Sequence, residues 1–91
     1  MLVLPIKKKW FDMIKAGIKK EEYREIKPYY ETRFNKLFKD EVETVVTFRN
    51  GYSSNSPKID CLVSLKIGKG KPEWGAEPNK NYYILNIIQI F

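Results

Sequence analysis

The chain has 91 residues, 43% of them hydrophobic, 14% aromatic and 31% charged, enough for one core and too few for two, so a single domain over residues 1–91 is expected. Seventeen Lys and Arg against 11 Asp and Glu give a net charge of +6, a balance that favours polyanionic partners. Histidine is absent and Cys61 is the only cysteine, which excludes an internal disulfide and the usual zinc sets; no metal or other cofactor is expected.

Met1 to Ile6 reads as a short apolar strand, with Pro5 at a sheet edge. Lys7 to Ala16 follows as a helix, in which Trp10, Met13 and Ile14 recur at helical spacing beside Phe11, and Gly17 closes it as a left-handed cap. Ile18 to Glu25 suits a short charged strand. Strict alternation puts Ile18, Lys20, Glu22 and Arg24 on one face and Lys19, Glu21 and Tyr23 on the other, unless a bulge realigns Lys19. Pro28 opens a second helix carrying Tyr30, Phe34, Leu37 and Phe38. Three strands complete the chain, Val42 to Arg49, Lys58 to Ile67 and Asn81 to Phe91, the middle one alternating Ile59, Cys61, Val63, Leu65 and Ile67. The order β-α-β-α-β-β-β lacks a regular βαβ rhythm. It predicts an α+β fold: a small mixed, mainly antiparallel β-barrel of about five strands with two flanking helices. The apolar termini are too short for a helix to cross a bilayer core of about 30 Å, and the lysines follow the first apolar run instead of preceding it as in a secretory signal. A cytoplasmic protein with no membrane partner is expected.

Candidate binding residues fall in four places. Lys7, Lys8 and Lys9 lie at a helix start, where free N–H groups favour anions; they either tolerate the mismatch in solvent or meet a phosphate. The stretch Lys19 to Arg24 holds a cation, a carboxylate and a guanidinium able to grip a base edge and a phosphate, or simply to pair with one another. Arg49, Asn50, Tyr52 and Ser53 supply the cation, amide, ring and hydroxyl used to read unpaired bases, within what is also an ordinary Asn-Gly turn. Trp74 adds a ring in the last loop, although it reads, like Trp10, Tyr29 and Tyr30, more readily as a core or lid packing group than as a base platform. Gly68-Lys69-Gly70-Lys71 lacks the spacing of a P-loop.

A helix ending in glycine, then Lys, Glu and Arg at the second, fifth and seventh positions after it, resembles the Gly-x-Lys-x-x-Glu-x-Arg signature of ASCH-domain proteins, here Gly17, Lys19, Glu22 and Arg24. Trp10-Phe11-Asp12-Met13-Ile14, Phe48-Arg49-Asn50-Gly51-Tyr52-Ser53 and Glu73-Trp74-Gly75-Ala76 extend the likeness to short, often prophage-associated members. The resemblance implies a PUA-like barrel with a polar cleft for RNA or a modified nucleoside. A minority of the family are amidohydrolases of N4-acylated cytidine that use the motif lysine as base and a hydroxyl three residues later as nucleophile. Here Lys19 is present, Glu22 occupies the hydroxyl position, and Glu73 or Glu77 would have to serve as the later acid, so Lys19 and Glu22 are catalytic only in that alternative. A third alternative is a protein-interaction module with the cleft unused. Exchange of Glu22 for Gln is expected to spare folding and weaken ligand binding.

Overall fold

The computed structural model describes residues 2–91; Met1, where the first expected strand begins, lies outside the described residues. The elements follow the expected order: β1 (Val3–Ile6), α1 (Lys8–Lys15), β2 (Glu21–Arg24), α2 (Pro28–Leu37), β3 (Glu43–Asn50), β4 (Lys58–Lys69) and β5 (Asn81–Ile90). A single 3-10 turn, Pro72–Trp74, interrupts the connection between β4 and β5.

The strands form one sheet in the order β1-β3-β4-β5-β2, parallel between β1 and β3 and antiparallel elsewhere. It is a mixed sheet curled into a half-barrel with two helices. A register shift between Leu62 and Val63 leaves Ile88 as an extra residue in β5, the kind of bulge that sharpens local twist. The result is the small mixed, barrel-like α+β fold expected from the strand pattern, open on one side because among the described residues β1 and β2 share no backbone ladder. One side chain bridges their edges: Nη2 of Arg24 donates to the Pro5 carbonyl at 2.9 Å.

Alternation along the strands sets the core. Leu4, Ile6, Val46, Phe48, Cys61, Val63, Tyr83 and Leu85 meet Phe11 and Ile14 of α1 and Phe34 of α2. At about 25 cal/mol per Å² of apolar surface removed from water, such burial is the main term holding the sheet curled. The intervening residues Tyr82 and Ile84, with Tyr23 of β2, pack under Ala76 and Trp74 of the last connection. That connection is pinned by two phenols, since the Lys71 amide donates to the Tyr23 hydroxyl and the Glu77 amide to the Tyr82 hydroxyl, each at 2.9 Å. Gly17 takes the left-handed conformation expected of the cap, with φ of 77°. Among the described residues no helix is long and apolar enough to cross a membrane, and no cluster of Cys, Asp or Glu side chains could hold a metal ion.

Candidate functional site

The strand β2 begins only at Glu21, so residues 18–20 escape the alternation that would set Lys19 opposite Glu22. The chain leaves Gly17 with the Ile18 and Lys19 amides both donating to the Met13 carbonyl, and this tight exit turns the Lys19 side chain inward. Its Nζ lies 3.0 Å from Oε1 of Glu22 and donates to the carbonyls of Glu21 and Trp74, the latter at 3.0 Å. The Tyr23 and Trp10 rings flank the ammonium at 4.9 and 5.3 Å from their centroids. Lys19 is 1% exposed, an extreme position for a lysine that only full pairing makes tenable.

Glu22 is engaged on both sides. Its Oε2 accepts from Nη1 of Arg24 at 2.8 Å, completing a buried row of cation, anion and cation. Arg24 spends Nη1 on Glu22 and the Tyr23 carbonyl and Nη2 on Pro5, while its buried Nε has no hydrogen-bond partner among the described residues. Burial pulls the Lys19 ammonium below the usual lysine value, and the charge and hydrogen bond of Glu22 oppose that pull. Three acceptors surround the three donors of its ammonium form, so the amine is held between Glu22 and the carbonyls of Glu21 and Trp74. The Tyr23 phenol is pushed far up, chiefly by burial, with the bond it donates to Oε1 of Glu21 at 2.7 Å adding to the effect.

Beside this row opens a cleft of about 750 Å³, a volume suited to a small organic ligand. Glu22 and Arg24 form its floor with Pro5 and Tyr23, the start of α1 contributes Lys7, Lys8 and Trp10, and the first turn of α2 contributes Lys27, Tyr29 and Tyr30. Asn50, Gly51 and Tyr52 after β3 and Trp74 and Gly75 in the last connection complete its lining. A side chain at Gly75 would stand 3.0 Å from the Trp10 ring, so the glycine, at φ of 100°, lets indole and loop meet closely.

The sequence-derived candidates therefore divide. Lys7, Lys8, Glu22, Arg24, Asn50, Tyr52 and Trp74 line one cavity. Lys8 also pairs with Asp12 across one helical turn, both largely exposed. Lys19 does not line that cavity and meets it only through its ion pair with Glu22. Lys9 lies over the Trp10 ring at 4.6 Å and off the cleft wall. Arg49 turns its Nε to the Gly51 carbonyl at 3.0 Å, and the Ser53 hydroxyl accepts from the Asn55 amide at 3.2 Å, so these two shape the turn that presents Asn50 and Tyr52. Glu77 lines a smaller adjoining hollow with Lys80 and Tyr82, and Glu73 lines neither. Sequence reasoning passed over Lys27, Tyr29 and Tyr30 as binding groups; Pro28 at the first helical position was the available signal, because it sets both tyrosines in the turn directly after Arg24. Compared with models of protein families, with curated proteins and with solved structures, the chain matches none.

Proposed function

We propose that the cleft binds RNA or a modified nucleoside, as the resemblance to ASCH-domain proteins implies. The observation that carries this reading is the composition of one cavity: a paired carboxylate and guanidinium on the floor, the rings of Tyr29, Tyr30, Tyr52 and Trp74 on the walls, and Lys7, Lys8 and Lys27 at the mouth. Each part has a role in holding an unpaired nucleotide. Glu22, paired with Lys19 on one side and Arg24 on the other, accepts from an exocyclic amine. The rings stack on base faces, and the lysines meet phosphate. A floor with a fixed acceptor favours bases that carry an amine, cytosine, adenine and guanine, over uracil.

The test is a titration of the pure chain with cytidine, uridine and short RNAs, followed by the emission of Trp10 and Trp74. Saturable changes are expected, tighter for cytidine than for uridine. Folded protein that gives no saturable response to any RNA or nucleoside at low salt would overturn the reading.

A further inference from the structure

The second helix carries a feature that the cleft does not use. Tyr29, Arg33 and Lys36 stand at i, i+4 and i+7 on α2 and so share one stripe, about 10 Å long at the rise of an α-helix. All three are exposed, and Tyr29 lines the cleft, so the stripe starts where the cavity ends. The Arg33 guanidinium lies 3.5 Å from the Tyr29 ring centroid, in van der Waals contact, while its Nη1 donates to the Tyr29 carbonyl at 3.0 Å.

A rigid support lies beneath it. Tyr83 in the core meets Phe34 edge-on at 5.3 Å, Phe34 stacks on Tyr30 at 5.7 Å, and Tyr30 meets Tyr29 edge-on at 4.9 Å. This ladder of rings runs outward from the sheet and ends in a guanidinium at the surface. Helix stability alone does not require it, because Phe34 and Tyr30 already provide the packing toward the core. A planar cation fixed over an anchored ring presents a flat face on which a base can stack, beside a charge that a phosphate can approach.

We propose that this stripe extends the cleft, so that the ligand is single-stranded nucleic acid whose next nucleotide stacks on the Arg33–Tyr29 pair while its backbone passes Lys36. The proposal rests on the reading of the cleft given above and narrows it from a nucleoside to a strand.

The experiment uses the full chain, with cytidine 5′-monophosphate and an oligocytidylate of about eight residues as probes, a length within the range that small single-strand binders cover. Wild type is expected to bind the oligomer more tightly than the mononucleotide. Arg33→Ala should leave mononucleotide affinity unchanged and weaken oligomer binding about tenfold. Arg33→Lys should recover the salt dependence but not the affinity, since it keeps the charge and loses the plane. Lys36→Ala should lower the slope of log affinity against log salt by about 0.7, the share of one single-strand phosphate. If wild type binds the mononucleotide but the oligomer no more tightly, or if Arg33→Ala or Arg33→Lys binds the oligomer as wild type does, the stripe is not part of the site although the cleft reading stands. Binding of neither probe sinks both. Polyglutamate of equal length binding as well as the oligomer would show a general anion surface and overturn the strand proposal.

Discussion

Glu22 stands between Lys19 and Arg24 with each carboxylate oxygen facing one cation, and only 6% of its side-chain surface is exposed. That geometry revises the expectation that Gln would be tolerated there. An amide leaves two cations without a counter-charge, and Lys19 is the more deeply buried of them. Breaking such a buried network is expected to cost about 3 kcal/mol, read as a lower urea midpoint at unchanged m. The deficit has a definite pH dependence. Lys19 has a folded pKa below its unfolded 10.5, so the burden of burying its charge is relieved as pH rises between the two. Removing Glu22 removes what held the pKa up and widens that window. The gap between Glu22→Gln and wild type should therefore narrow as pH rises toward 10.5. A gap that is flat across that range would mean that Lys19 is not the group left stranded.

Cys61 titrates with the opposite sign. Burial, aided by the charge of Asp60, pushes its thiol up to about 11 from 9.0. A raised folded value means that its contribution is complete below pH 9.0 and is lost as pH climbs to about 11, because the unfolded thiol ionises first. The loss amounts to about 3 kcal/mol at most, from two pKa units at 1.36 kcal/mol each. Wild type should lose more stability than Cys61→Ala across that window, and equal losses in denaturant melts would exclude the thiol as the cause.

At the scale of elements, the connection between β4 and β5 is a lid whose fit depends on Gly70. A Cβ there would fall 2.7 Å from Ala76 Cβ and from the Tyr23 ring, closer than packed atoms tolerate. Gly70→Ala must push the lid off Tyr23, shifting the Trp74 carbonyl that Lys19 holds, at a cost of about 1–3 kcal/mol. Gly68→Ala is the matched control, since its Cβ would meet only Ile84 at an ordinary 3.7 Å. Melting curves and tryptophan emission of the two variants should differ clearly, and similar behaviour would show that the lid is not tightly seated. The strands and helices here were legible because period-two and period-3.6 patterns record burial directly, as with Cys61 and Val63 in β4 or Phe11 and Ile14 in α1. The position of Lys19 was not, because where a strand begins after a cap glycine depends on backbone hydrogen bonds and not on side-chain type. The open edge between β1 and β2 was hidden for a similar reason: closure is decided by twist and strand length, whereas Arg24 reaching Pro5 is a tertiary contact between residues nineteen apart. Asn50, Tyr52 and Trp74 were found by type, and Tyr29 and Tyr30 were set aside as packing, though both line the cleft and only Tyr30 also packs against the core.

Across the whole molecule the charge is spread widely. Every lysine except Lys19 and Lys80 is exposed, and among the described residues ion pairs occupy only Lys8 and Lys66 of the exposed ones. Such a surface attracts a polyanion from many directions but reads little of its sequence, because direct reading needs fixed donors and acceptors, and these are gathered at Glu22, Arg24 and Asn50. RNA affinity should accordingly separate into two parts. One comes from displaced counterions and falls steeply with added salt, by about 0.7 in log affinity per decade of salt for each phosphate met. The other comes from stacking and from the floor of the cleft, and it persists. Oligomers of different sequence should therefore give parallel salt slopes with small vertical offsets, oligouridylate lying lowest. Slopes near zero would mean that the exposed lysines take no part, and slopes that diverge between sequences would mean that recognition is spread along the strand instead of concentrated at Glu22 and Arg24.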